Sequence, residues 1–109
     1  MEVIYLASPY SHTDLSVMDA RWKQVCGIAG RLMHEGHVVY SPIAHTHQIA
    51  LQCALPRCWD YWERFDREFI QACEKVVVAM MDGWKESKGV QAEILIAKGL
   101  GKPVEYIEA

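Results

Sequence analysis

The chain has 109 residues, of which 51 % are hydrophobic and 23 % charged, a balance that indicates one folded domain over residues 1–109 and excludes a disordered chain. It has 11 basic and 14 acidic residues, a net charge of −3 and no basic block, so we expect no nucleic-acid polymer and no anionic membrane as a partner. No apolar run approaches the about 20 residues that span a bilayer. Without a basic signal-peptide region or a Cys-x-x-Cys pair, we expect a cytoplasmic protein with reduced thiols.

The N-terminal part predicts a strand, a long helix and a second strand. The β-prone apolar run over residues 3–7 predicts a strand buried on both faces. Apolar residues at helical spacing follow, with Asp14 or Ser16 as the N-terminal cap and Gly36 as the C-terminal stop. Residues 37–40 predict the second strand.

The C-terminal part predicts two further helices, each followed by a strand. Residues 42–58 are open between a short helix and an irregular loop. A long helix over 59–73 precedes a strand over 76–81, and a helix over 87–100 precedes a strand over 104–107. This alternation predicts a mostly parallel sheet with helices on its faces, and ligands in such sheets bind beyond the carboxyl ends of the strands.

Each of the last two predicted helices carries one acid on its apolar side. On a helical wheel of about 100° per residue, Glu93 lies in the apolar stripe of the last helix and Asp66 in that of the helix before it. A carboxylate there is costly unless it is paired or hydrogen-bonded. Each acid is therefore a structural cap, a partner of a buried cation, or functional. We favour a functional pair, because two carboxylates in different environments can divide the work of cleaving a glycosidic bond.

Ser87 and Gly89 open the last helix. A serine cap and a glycine leave backbone N–H groups free for an anion. An ordinary helix cap is the alternative, but the spacing Ser-x-Gly-x-x-x-Glu also joins this anion cradle to Glu93.

Taken in chain order, these segments resemble the nucleoside 2-deoxyribosyltransferase-like family. The matching pieces are Ile4-Tyr5-Leu6-Ala7-Ser8-Pro9-Tyr10, Asp66, Val76-Val77-Val78-Ala79, Ser87-Lys88-Gly89-Val90-Gln91-Ala92-Glu93 and Ala97-Lys98-Gly99-Leu100-Gly101-Lys102-Pro103-Val104. Residues 41–58 match least. The resemblance implies a flavodoxin-like or Rossmann-like three-layer sandwich with a mostly parallel sheet of four or five strands, assembled as a homo-oligomer (dimer or tetramer).

The resemblance also implies residue roles. It makes Glu93 the nucleophile of a covalent glycosyl-enzyme and Tyr5 the group that orients Glu93. Asp66 either assists the departing base or binds the sugar. It places Ser87 at the 5′ end of the sugar, where a hydroxyl suits a phosphate better than a second carboxylate does. Pro9 removes an N–H donor that the phosphate-binding branch of the family has. The implied partner is a nucleoside or nucleotide, with no metal and no organic cofactor.

Further candidate substrate contacts lie in the loops that follow the strands. They are Ser8, Tyr10, Ser11, His45, Asp82 and Trp84. A metal site of His45, His47 and a cysteine is a loose pattern that we do not favour. Arg21 can reach a phosphate, pair with Asp66 or extend along the surface. Among the tryptophans, we favour Trp84 over Trp59 and Trp62 for stacking on a base.

The predicted function is cleavage or exchange of the N-glycosidic bond of a nucleoside or nucleoside 5′-monophosphate. One alternative is a phosphoribohydrolase resembling the cytokinin-activating family, whose Gly-Thr-x-x-Glu has the spacing of Gly89 to Glu93, although its Pro-Gly-Gly run is absent here. The other alternative is a nucleotide-binding or sensing module without turnover.

Overall fold

Four strands alternate with helices in the computed structural model, which describes residues 2–109. The strands are β1 (Val3–Ala7), β2 (Val38–Tyr40), β3 (Lys75–Met80) and β4 (Val104–Glu108). The helices are α1 (Leu15–His34), α2 (Pro42–Gln52), α3 (Trp59–Ala72) and α4 (Lys88–Gly99). Every strand pair is parallel, and the sheet order is β2-β1-β3-β4. The predicted parallel α/β fold is confirmed, and the segment left open contains the helix α2.

The sheet lies between two helical layers because neighbouring residues of a strand point to opposite faces. Tyr5 and Val78 pack with residues of α3 and α4 in one buried cluster. Ile4 and Val77 pack with α1 in the other. The result is the three-layer, flavodoxin-like sandwich that was expected. Within residues 2–109, none of the helices combines the length and apolar character needed to cross a bilayer.

The strand order creates a crevice at one edge of the sheet. From β1 the chain passes to β2 on one side, whereas β3 lies on the other side of β1. The connections that leave the carboxyl ends of β1 and β3 therefore diverge, and this divergence is where ligands bind in open parallel sheets.

Local capping sets where the helices begin and end. Asp14 caps α1 and accepts a hydrogen bond from the backbone N–H of Ser16 at 2.9 Å. Gly36 has φ +96° just beyond α1, a conformation that favours glycine and stops the helix. Ser87 caps α4 and accepts from the N–H of Val90 at 3.2 Å. Glu93 consequently lies about one and a half turns into α4.

Candidate functional site

A cavity of about 370 Å³ lies beyond the carboxyl ends of β1 and β3. This volume is within the range of about 300–1,000 Å³ that small-molecule sites occupy. Its wall combines the loop after β1, helix α2, the start of α3 and the first turns of α4. The predicted site residues that line it are Ser8, Tyr10, Ser11, Asp66, Ser87, Gly89 and Glu93.

Glu93 and Asp66 reach this cavity from two different helices. Glu93 on α4 is 4 % exposed, and Asp66 on α3 is 7 % exposed. The hydroxyl of Tyr5, on β1 beneath them, donates a hydrogen bond to Oε2 of Glu93. Within residues 2–109, no lysine or arginine forms an ion pair with either carboxyl group. The two acids are therefore not the halves of buried salt bridges.

Their environment favours the protonated form of both acids. Burial raises the pKa of Asp66 from 3.8 to about 7, against the opposing effect of the Tyr5 hydroxyl. Burial also raises the pKa of Glu93 well above its usual value; the charge of Asp66 adds to this rise, and the hydrogen bond from Tyr5 opposes it. Because each charge disfavours the other, the pair holds on to a proton near neutral pH.

Tyr5 stays protonated at this position. Burial raises its pKa well above 10, and the charges of Glu93 and Asp66 raise it further. A phenol that keeps its proton remains a donor, so it stabilises the ionised form of Glu93 whenever that form is present.

The N-terminus of α4 forms the wall next to the acids. Ser87 accepts from Val90, so its own hydroxyl hydrogen is free to donate. The first N–H groups of the helix, from Lys88 and Gly89, have no helical carbonyl to bind. A Cβ on Gly89 would lie 3.5 Å from the Trp59 ring, an ordinary contact. The packing of the protein therefore does not by itself require glycine there.

The loop after β1 is held from both sides. Arg21 donates to the carbonyl oxygens of Tyr10 at 3.3 Å and Ser11 at 3.1 Å, and more weakly to that of Asp82 at 3.5 Å. Its guanidinium is thus committed to backbone carbonyls, and the pairing with Asp66 considered above does not occur. Ser8 lies in the same loop, and its buried Oγ has no hydrogen-bond partner among residues 2–109.

Three predicted contacts lie outside the cavity. His45 is exposed beside Tyr40, with ring centroids 6.0 Å apart. Residues two apart on a helix point to nearly opposite sides, so the buried His47 and the exposed His45 lie on opposite sides of α2. Asp82 is exposed, and Trp84 packs on Tyr106 with ring centroids 5.6 Å apart. In the described part of the chain, no group of three potential metal ligands comes together.

Other cavity residues come from the loop before α3 and from the first turn of that helix. Arg57, Trp59 and Trp62 line the cavity, so the two less favoured tryptophans are the ones near the acids. The loop before α3 reaches the cavity because Ser11 donates to the carbonyl of Arg57 at 2.7 Å. Such a long-range contact has no periodic pattern in the sequence.

The family model described as Domain of unknown function (DUF1937) matches the chain over residues 2–109. The chain belongs to this family. None of the curated proteins compared with the chain matches it. The DUF1937 match includes every residue that lines the cavity.

Proposed function

We propose that the protein cleaves or exchanges the N-glycosidic bond of a nucleoside or nucleoside 5′-monophosphate. The observation that carries this proposal is the pair of buried acids, Glu93 and Asp66, which line one cavity without a cationic partner in residues 2–109. Burying such a pair costs stability. A catalytic site that needs a nucleophile and a proton donor at neutral pH accounts for two buried acids in spite of this cost in stability.

In the proposed reaction the two acids share the work. The ionised Glu93 attacks C1′ of the sugar while the bond from C1′ to the base nitrogen breaks. Asp66 gives its proton to that base as it departs, and a glycosyl ester on Glu93 results. Water or a second base then attacks C1′, returning the carboxylate of Glu93. Asp66 takes up the proton that the attacking group loses.

Tyr5 supports this assignment of charge. Its hydrogen bond lowers the pKa of Glu93, and so opposes the effect of burial on that acid. The proposed reaction needs the proton on Asp66 and the charge on Glu93, and the acid to which the Tyr5 hydroxyl donates is Glu93. Removal of the Tyr5 hydroxyl shifts the pair away from that form.

The N-terminus of α4 fits the 5′ end of a nucleotide. A free hydroxyl on Ser87 and the N–H groups of Lys88 and Gly89 suit a phosphate, and the helix dipole adds to the attraction. Arg57 lines the same cavity and supplies a positive charge. Lys88 pairs with Asp60 at 3.0 Å, which offsets one of the acids on this wall.

Base release tests the proposal. Wild-type protein is incubated with ribo- and deoxyribonucleosides and their 5′-monophosphates, with and without a second base, and free base is followed by chromatography. Glu93→Gln keeps the shape of the side chain and removes the nucleophile. Glu63→Gln, at a half-exposed position of α3 outside the cavity where it pairs with Arg67 at 2.8 Å, is the matched control.

Each outcome has a defined meaning. Release that is lost in Glu93→Gln and kept in Glu63→Gln supports the proposal, and a new nucleoside formed with the second base makes the protein a transferase. Absence of release from every substrate by folded wild-type protein contradicts it. Tight nucleotide binding in that case favours a binding module without turnover.

A further inference from the structure

Tyr10 is joined to a buried histidine that the proposed reaction does not use. Its hydroxyl lies 2.6 Å from Nδ1 of His47, which is 2 % exposed. The histidine ring stacks on Trp22 with centroids 4.8 Å apart and meets the Tyr10 ring edge-on. Tyr10 lines the cavity, and His47 does not. The imidazole therefore acts on a ligand only through Tyr10.

The other nitrogen of His47 faces a carboxylate. Nε2 lies 3.6 Å from Oδ1 of Asp19 and has no hydrogen-bond partner within residues 2–109. A neutral imidazole carries one N–H, on either nitrogen. If Nδ1 carried it, the Nε2 lone pair would face the negative charge of Asp19. With the hydrogen on Nε2, the N–H points toward that charge, so this second tautomer is favoured.

The tautomer decides what Tyr10 offers to a ligand. With Nδ1 unprotonated, the only hydrogen of the Tyr10 hydroxyl is donated to His47. The oxygen lone pairs that remain accept hydrogen bonds and donate none. Without His47, the same hydroxyl could rotate and either donate or accept.

We infer that Asp19, His47 and Tyr10 form a relay that makes the Tyr10 hydroxyl a dedicated hydrogen-bond acceptor in the cavity wall. The relay selects ligands that bring an N–H or O–H donor to this point. Under the proposed function, on which this ligand class rests, the donor is either an amino group of the base or a hydroxyl of the sugar. Tyr10 is then a specificity-determining residue, and Asp19 and His47 are positioning residues.

The first test needs no ligand. Long-range nitrogen–proton NMR spectra of histidine-labelled wild-type protein distinguish the two tautomers of a neutral ring. We expect His47 with its hydrogen on Nε2, and a shift toward the other tautomer in Asp19→Leu. Lys23→Gln, which removes only the neighbouring ion pair at 3.3 Å, leaves the tautomer unchanged. A hydrogen on Nδ1 in the wild type overturns the relay.

The second test measures ligand choice by calorimetry in the Glu93→Gln background, which prevents turnover. The ligand pairs are adenosine with inosine, cytidine with uridine, and each ribonucleoside with its 2′-deoxy form. At the compared position adenosine and cytidine carry an amino donor where inosine and uridine carry a carbonyl acceptor, and a ribonucleoside carries a hydroxyl that its 2′-deoxy form lacks. We expect the member of one pair that carries the amino group or the hydroxyl to bind about tenfold more tightly, the value of one hydrogen bond. The pair that shows this preference tells whether the base or the sugar meets Tyr10.

Two variants separate specificity from structure. Tyr10→Phe removes the acceptor, and His47→Phe keeps Tyr10 and a ring against Trp22 but frees the hydroxyl to rotate. Tyr10→Phe is expected to abolish the preference, and His47→Phe is expected to abolish a preference for an amino group over a carbonyl, because the freed hydroxyl can then donate to the carbonyl. Tyr106→Phe and His34→Phe, at exposed positions, retain the preference. A preference that survives both variants overturns the inference. Failure of every nucleoside to bind, with the expected tautomer present, overturns the proposed function and the ligand class but leaves the Tyr10 acceptor in place.

Discussion

Replacing Asp66 by asparagine is expected to stabilise the protein at alkaline pH. The side chain of Asp66 is buried, and its pKa is raised from 3.8 to about 7. An acid with a raised pKa contributes its full stability below the pKa of the unfolded chain and loses it as the pH rises through the folded pKa. Asparagine keeps the shape of the protonated acid and has no charge to bury, so it removes this loss.

The magnitude follows from the two pKa values. The interval from 3.8 to about 7, at about 1.4 kcal/mol per pKa unit, corresponds to about 4 kcal/mol. Wild type and Asp66→Asn should therefore have similar free energies of unfolding near pH 4. Near pH 8 the variant should be more stable by up to about 4 kcal/mol. The variant should also lose base release, because it has no proton to give.

Urea unfolding followed by tryptophan fluorescence at both pH values measures this difference. Glu63→Gln, at a half-exposed site on the same helix, should change the free energy of unfolding by no more than about 0.5 kcal/mol. Equal stability of wild type and Asp66→Asn at pH 8 would show that Asp66 is not held neutral by burial. A variant that is less stable than wild type at pH 8 would refute the same reasoning.

Three further predictions concern the proposed reaction. Base release should depend on pH with a maximum, because the reaction needs one proton on the pair of acids: it should fall in acid as the pair gains a second proton and fall in alkali as it loses the last one; a pH–rate profile without an alkaline decline would contradict a proton donor in the pair. Tyr5→Phe removes the hydrogen bond that lowers the pKa of Glu93, so the acid limb of that profile should move to higher pH, and an unmoved limb would count against the contact. Ser87→Asp keeps a good helix cap, so the free energy of unfolding should change by no more than about 0.5 kcal/mol. Because the new carboxylate repels a phosphate, calorimetry should show that nucleoside 5′-monophosphates bind about tenfold or more weakly relative to nucleosides. Equal weakening of both ligand classes would refute the phosphate contact.

The secondary structure was predictable where periodicity and capping agree. The apolar spacing after Asp14 and the glycine at position 36 predict α1 within a residue or two, and the structure confirms both ends. The segment after β2 was left open between a helix and a loop, and its helix α2 is stabilised by the Ser41 cap and by packing on α1. Phe69 shows the opposite case: it belongs to the apolar side of α3 in sequence, yet it is 40 % exposed and stacks on Tyr40.

The two acids stood out in the sequence because each interrupts an apolar stripe. Charge on a core-facing position is rare enough to single out Asp66 and Glu93 from one chain. His45, by contrast, was predicted to face a ligand from its place after a strand, and the helical geometry of α2 turns it outward. The sequence contains no comparable anomaly for Arg57, which lies in the loop before α3, or for Trp59, which begins that helix.

Local pattern by itself determined the order of strands and helices, the parallel sheet and the edge at which to look for a site, because these depend on periodicity, capping and chain connectivity. Only the tertiary structure decided that Asp66 and Glu93 share one cavity with the Tyr5 hydroxyl bonded to Glu93 from below, and that His47 lies behind Tyr10 with Asp19 beyond it. Those contacts join residues that are far apart in the chain. The direction in which each side chain points is set by how the layers pack, which no local pattern records.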